Sequence, residues 1–232
     1  MPGDGSRRGG SSRRYSALVG LAFLLLLAIA TVNTIRTHSG GILGITKGDR
    51  GMPLAEFAVP NAVTGPLDKD ANVAQDDCST AENPCPSGSR RTPACEIKVK
   101  GAIRVCDLFN RPLVLSFWFT KGNCLPAQDA VNSVAGRYRG RVNFLSIDIR
   151  DDPGDVRQIV AERGWRIPVG YDRDGAVSDL YRVGGCPTIA FAFPGGILAF
   201  AKAGSVALSE EEIAADVRRL LRLSAGRAIE SR

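Results

Sequence analysis

Residues 111–124 have the sequence RPLVLSFWFTKGNC, and this stretch indicates how the chain folds. The apolar run before Thr120 is typical of a central β-strand that is buried on both faces. A short polar loop follows, and Asn123 is suited to cap a helix that begins at the next residue. The stretch therefore predicts a strand, a loop and a helix that carries Cys124 at its N-terminus.

The neighbouring segments alternate between strand and helix patterns. Residues 95–106 predict an N-terminal β-hairpin with a turn at Lys100 and Gly101, which would place Cys95 opposite Cys106 within disulfide reach. The complete order predicts an α/β fold with a mixed central sheet and helices on both faces. Further strands are predicted at 142–149, 166–172, 188–193 and 196–203, and further helices at 153–164, 176–183 and 209–223.

The N-terminal region predicts a membrane anchor. Residues 16–35 carry no charge over 20 residues, enough for a helix that crosses a bilayer. Arginines precede this segment, which favours a cytoplasmic N-terminus and an extracytoplasmic domain. Cleavage of a signal peptide near Ala30 is the alternative. The predicted organisation is a basic tail (1–15), an anchor (16–36), a linker that carries Cys78 and Cys85 (37–93), a globular domain (94–225) and a C-terminal tail (226–232).

The net charge and the cysteine content narrow the range of possible functions of the chain. The net charge is +6, but four arginines lie within the first 14 residues and no basic run is interleaved with aromatic residues, so a nucleic-acid partner is not expected. All six cysteines follow the anchor, in a compartment where disulfides persist. A local Cys78–Cys85 bridge and a Cys95–Cys106 bridge are predicted as structural, although six cysteines permit fifteen pairings.

The stretches VCDLFNRPLVLSFWF, VNFLSIDIRDD and IPVGYDRDGAVSDLYRVGGCPTIAFAFPGG resemble the thioredoxin-like superfamily, and more narrowly its membrane-tethered TlpA/ResA-like thiol-disulfide oxidoreductases. The resemblance covers roughly residues 95–224 and implies a cis bond before Pro187. It also implies that Cys186 touches the redox sulfur of Cys124. The substrate-binding residues that we predict at this site are Trp118, Lys121, Gly185 and Thr188.

The chain departs from this family in its cysteine motif. The two family cysteines would fall near Gly122 and Leu125, and neither is cysteine. We therefore expect Cys124 to be the attacking thiol, because a helix N-terminus and the nearby Lys121 stabilise a thiolate. Cys186 would be the resolving thiol. No acid–base helper is evident, since the sole histidine is close to the anchor and the strand offers only Ser116.

These observations predict an extracytoplasmic oxidoreductase that exchanges disulfides with protein thiols or disulfides, without a cofactor or a metal. Two alternatives stay open: a peroxiredoxin-like thiol peroxidase, whose motif places threonine three positions before the cysteine, and a redox-inactive binding module. Thr120 lies four positions before Cys124. Trp165 is interpreted as a surface or hairpin-packing residue, and the acidic stretch at 147–155 as a solvated turn and helix start.

Overall fold

The computed structural model of the chain describes residues 19–20, 23–27, 50–66, 92–121, 124–203 and 208–230. The chain divides into two compact units, 1–42 and 43–232. The labelled elements all belong to the second unit. They are β1 (Ala58–Pro60), β2 (Ala102–Arg104), β3 (Leu113–Trp118), α1 (Cys124–Arg137), β4 (Asn143–Ile149), α2 (Pro153–Glu162), β5 (Val169–Asp172), α3 (Ala176–Leu180), β6 (Thr188–Phe193), β7 (Ile197–Ala203) and α4 (Glu210–Glu230).

The predicted anchor lies mostly outside the described residues. Residues 19–20 and 23–27 within it are helical. Among the residues with described coordinates, no helix combines the length and the apolar character needed to cross a bilayer. The proposed Cys78–Cys85 bridge and the predicted N-cap Asn123 also fall outside the described residues.

A five-stranded mixed sheet forms the centre of the second unit, in the order β5-β4-β3-β6-β7. Strand β3 pairs in parallel with β4 and antiparallel with β6, and β4 continues in parallel to β5. Every residue of β3 is buried. The prediction of a central strand is confirmed, and so is the hairpin of β6 and β7.

Both faces of the sheet are covered, which explains the continuous apolar run of β3. Leu113, Leu115 and Phe117 point to the face that β1 and α3 cover. Val114 points to the opposite face, which packs against α1 and α4.

The helices begin where the sequence predicts. The Ser209 backbone N–H donates to Glu212 Oε2 at 2.8 Å, and the Glu212 N–H donates back to Ser209 Oγ at 3.3 Å, which completes the predicted capping box of α4.

The predicted N-terminal hairpin is wrong in its first strand. Residues 94–96 form a short 3₁₀ helix, and β2 pairs with β1 instead, with Ala58 opposite Arg104. The Arg104 guanidinium donates to the carbonyl oxygens of Cys95 and Ile97, at 3.2 and 3.4 Å, in place of a strand partner. The turn at Gly101 and the Cys95–Cys106 disulfide are nevertheless present, with Cα atoms 5.8 Å apart.

Burial explains why β1 displaces the expected partner of β2. Phe57, Ala58 and Val59 are all 0% exposed, whereas Lys98 in the competing segment is exposed. Pairing with β1 thus joins β2 to a segment that is fully buried in the core. The packed domain thus includes residues that the sequence analysis assigned to the linker.

Strand β1 approaches β5 closely at Gly170, which forms a bridge with Asn61. A Cβ atom on Gly170 would lie 2.5 Å from Val59 Cγ2 and 2.7 Å from Ile147 Cδ1. Gly170→Ala is therefore expected to lower the free energy of unfolding by about 1 to 3 kcal/mol, as overpacked cores do. Chemical denaturation followed by tryptophan fluorescence measures the change.

The matched control is Gly136→Ala in α1, where a Cβ atom meets nothing within 4 Å. Alanine is the better helix former, so this variant is expected to be up to about 1 kcal/mol more stable than the native protein. Equal stabilities of the two variants would contradict the close packing of β1 on β5.

Candidate active site

Two sulfur atoms from distant parts of the chain form a disulfide at one edge of the sheet. Cys124 is the first residue of α1, and Cys186 lies two residues before Thr188, where β6 begins. Their Cα atoms are 5.5 Å apart although 62 positions separate them in the sequence. The Cys186–Pro187 peptide bond is cis. The predicted pairing and the predicted cis-proline are therefore both confirmed.

The strand register explains why the two cysteines meet. Strands β3 and β6 are antiparallel, and Phe117 near the end of β3 lies opposite Thr188 at the start of β6. The loop after β3 and the loop before β6 consequently lie at the same edge. The Thr188 hydroxyl donates to the Gly185 carbonyl oxygen at 2.7 Å and holds the second loop in place.

The two cysteines differ in exposure. Cys124 is 1% exposed, whereas Cys186 is half-buried. Cys124 Sγ lies 3.3 Å from the Lys121 carbonyl oxygen. Solvent and partners therefore have access to the disulfide from the Cys186 side. Cys124 belongs to a buried cluster of apolar and aromatic side chains that includes Trp118, Val156, Val160, Trp165, Val169 and Tyr171.

Trp118 and Trp165 pack edge to face beneath the disulfide, with ring centroids 4.9 Å apart. They are 1% and 7% exposed, so the interpretation of Trp165 as a surface residue is wrong. The Trp165 indole N–H donates to Asp129 Oδ1 at 2.7 Å, and Arg163 forms an ion pair with the same carboxylate. The amphipathic indole thus buries its ring while its N–H reaches a polar partner on α1.

Helix α1 is also held by a backbone contact. The Arg166 N–H donates to Asn132 Oδ1 at 2.8 Å. Together with Asp129, this contact ties the middle of α1 to the segment that follows α2. The helix that carries Cys124 is therefore positioned by contacts other than its disulfide.

No protein-family model matches the chain. Among curated proteins, the thiol-disulfide oxidoreductase ResA of Oceanobacillus iheyensis is 25% identical over 115 residues, which are 49% of this chain and 60% of ResA. The chain thus spans three fifths of the length of that relative.

Solved structures give the same fold. A putative thiol:disulfide interchange protein DsbE from Chlorobium tepidum superposes with a TM-score of 0.54 at 16% identity, over 75% of this chain and 98% of that one. A DsbF homologue from Corynebacterium diphtheriae superposes with a TM-score of 0.50 at 14% identity, over 78% and 90%. The chain therefore has the thioredoxin-like fold that these structures share.

The predicted substrate-binding residues occupy different environments. Trp118 and Thr188 are each 1% exposed, and the Thr188 hydroxyl donates to the Gly185 carbonyl oxygen within the loop. Lys121 is exposed and Gly185 is half-buried beside Cys186. For all four residues, substrate contact stays a prediction.

Asp148 is a buried acid that the sequence analysis missed. It lies opposite Trp118 on β3 and Tyr171 on β5 and is 0% exposed. Neither of its carboxyl oxygens has a hydrogen-bond partner among the described residues. Burial, and next the neighbouring Asp151, raise the pKa of Asp148 to about 9. The interpretation of this acidic stretch as solvated is therefore wrong at Asp148.

The loop that leads to Cys124 is fixed by the same acidic stretch. The Thr120 hydroxyl donates to Asp151 Oδ1 at 2.7 Å, and the Thr120 N–H donates to Asp151 Oδ2. The Tyr171 hydroxyl donates to the Asp151 carbonyl oxygen at 2.6 Å. Asp151 thus connects the loop after β3 to the ends of β4 and β5.

The second disulfide lies near Glu56, and these three residues form a cluster of metal-ligand type. Both sulfur atoms are used in the Cys95–Cys106 bond. A zinc or iron site needs free thiolates, so only the Glu56 carboxylate remains as a ligand here.

Proposed function

We propose that the chain is an extracytoplasmic thiol-disulfide oxidoreductase that exchanges disulfides with protein partners through Cys124 and Cys186. The observation that carries the proposal is the disulfide between the N-terminus of α1 and the loop that precedes cis-Pro187. The similarity to ResA, a thiol-disulfide oxidoreductase, supports the proposal. Cys186 is accessible enough for a partner thiolate to reach the disulfide, which exchange requires.

A membrane anchor with a cytoplasmic N-terminus is part of the proposal. Residues 16–36 supply the apolar length, and basic residues precede them. Val19 and Phe23 to Leu26 are helical and between 61% and 66% exposed, a contiguous apolar surface that favours burial in lipid. A cleaved leader remains the alternative, and the size of the mature protein in membrane and soluble fractions distinguishes the two.

A graded redox titration tests the proposed activity. Oxidised protein is equilibrated at a series of dithiothreitol ratios, free thiols are alkylated, and mass spectrometry locates the labels. We expect Cys124 and Cys186 to become labelled together at a less reducing ratio than Cys95 and Cys106. The reason is that catalytic disulfides have higher reduction potentials than structural ones and open first.

Resistance of Cys124 and Cys186 to reduction, at ratios that already open Cys95–Cys106, would contradict the proposal. That result would favour the redox-inactive binding module, for which the deep burial of Cys124 is the supporting observation. Consumption of hydrogen peroxide by the reduced protein would instead favour the peroxidase.

A further inference from the structure

We infer that Cys186, and not Cys124, is the sulfur that exchanges with the partner, so that the mixed disulfide forms on the cis-proline loop. The inference rests on the proposed function and assigns the two sulfurs opposite roles to those expected from the sequence. Its first basis is access. A thiolate must approach a disulfide sulfur directly to attack it, and Cys124 is 1% exposed.

The surroundings of Cys124 are the second basis. Among the described residues, Cys124 belongs to a buried apolar and aromatic cluster, and its Sγ lies 3.3 Å from the Lys121 carbonyl oxygen. A carbonyl oxygen accepts a hydrogen bond from a neutral thiol and repels a thiolate. The N-terminus of α1 favours the thiolate, but for a fully buried group desolvation is the larger effect. Cys124 is therefore suited to be the protected, protonated thiol of the pair.

The approach to Cys186 is open. The preceding residue is Gly185, and a Cβ atom at that position would meet nothing within 4 Å. Cys186 itself is half-buried. The space beside Gly185 is therefore open, and a partner segment can lie along the cis-proline loop there.

The reaction balances with these roles. A partner thiolate attacks Cys186 Sγ, a partner–Cys186 disulfide forms, and the Cys124–Cys186 bond breaks. Cys124 leaves with the electron pair, takes a proton from water and donates it in a hydrogen bond to the Lys121 carbonyl oxygen. A second partner thiolate then attacks the partner sulfur of the mixed disulfide and releases Cys186 as thiolate. The partner dithiol is oxidised by two electrons and the protein disulfide is reduced; the reverse sequence reduces a partner.

Single-cysteine variants test the assignment. Cys124→Ser retains Cys186, and Cys186→Ser retains Cys124. Each variant is treated with 5,5′-dithiobis(2-nitrobenzoate) under conditions that leave Cys95–Cys106 oxidised, and mass spectrometry locates the adduct. We expect Cys186 to react at least about ten-fold faster than Cys124, because the attacking or attacked sulfur must be accessible. Equal reactivity, or faster labelling of Cys124, would overturn the inference.

A measurement on the native protein guards against misfolding of the variants. Oxidised protein is mixed with substoichiometric glutathione, quenched with acid within the first turnover, and the glutathionylated peptide is identified. The adduct is expected on Cys186, and Gly185→Val, which places a side chain in the approach, is expected to reduce its rate of formation. Gly136→Ala is the control that leaves the rate unchanged.

The outcomes separate the two claims. An adduct on Cys124 would overturn the inference and leave the proposed oxidoreductase function standing. No adduct at either cysteine, together with no release of oxidised glutathione, would reject both. An adduct on Cys186 with Gly185→Val at the native rate would overturn the open approach along the loop.

Discussion

Replacing both Cys124 and Cys186 by serine is expected to abolish disulfide exchange and to lower the free energy of unfolding by about 4 kcal/mol. The loss of stability follows from the loop that the bridge closes, because 62 positions separate the two residues and the unfolded chain regains that freedom. Urea denaturation measures the stability, and reduction of a model protein disulfide such as that of insulin measures the exchange.

The matched control removes the other bridge. Cys95→Ser with Cys106→Ser opens a loop of only 11 positions and is expected to cost about 3 kcal/mol while exchange persists. If the control variant loses exchange while it keeps its fold and the Cys124–Cys186 bridge, our assignment of the redox role to that bridge is wrong. Full exchange in the variant that lacks both Cys124 and Cys186 would also contradict this assignment.

Asp148→Asn is expected to stabilise the protein by up to about 4 kcal/mol at neutral pH, with an effect that grows as pH rises. In the native protein burial raises the pKa of Asp148 to about 9 from its ordinary value of 3.8. The unfolded chain therefore loses this proton near pH 4, while the native protein keeps it. The contribution of the neutral Asp148 carboxyl to the free energy of unfolding is therefore fully present below about pH 4. It falls by about 1.4 kcal/mol per pH unit as the pH rises toward 9.

Asparagine does not titrate, so the stability difference between Asp148→Asn and the native protein should widen between about pH 5 and about pH 8. Urea unfolding curves at these two values measure it. Ser146→Ala is the control, because Ser146 is also 0% exposed on β4 and its hydroxyl lacks a partner among the described residues, yet it carries no charge in this range. A gap that stays constant with pH for Asp148→Asn would show that the carboxyl is ionised or hydrated.

The sheet and helices of the second unit were predictable because their patterns are local. The apolar run at 113–118, the Ser209 to Glu212 capping box and the Gly-Gly turn after Phe193 each specify their element without help from distant residues. The partner of Cys124 required more than pattern. The identity of this partner followed from the resemblance to a fold in which the residue before the cis-proline reaches the redox sulfur. The structure places Cys186 at that position.

The incorrect predictions share a physical cause, which is competition from distant residues. In place of the local hairpin at 95–106, β2 pairs with the distant strand β1, where Phe57 and Val59 are fully buried in the core. Asp148 stands in a stretch that is acidic on average, but the alternation of β4 turns its side chain inward. A signal for its burial was available, since Asp148 lies between two isoleucines of a strand predicted to be covered on both faces.

The polar ties from Asp129 and Asn132 to the segment after α2 have a consequence for turnover. Because they hold the middle of α1 without help from sulfur, we expect the helix to keep its place after the bond opens, so that Cys124 waits within reach of Cys186. The oxidised and reduced forms would then hold α1 in the same position. No helix would have to refold during a catalytic cycle.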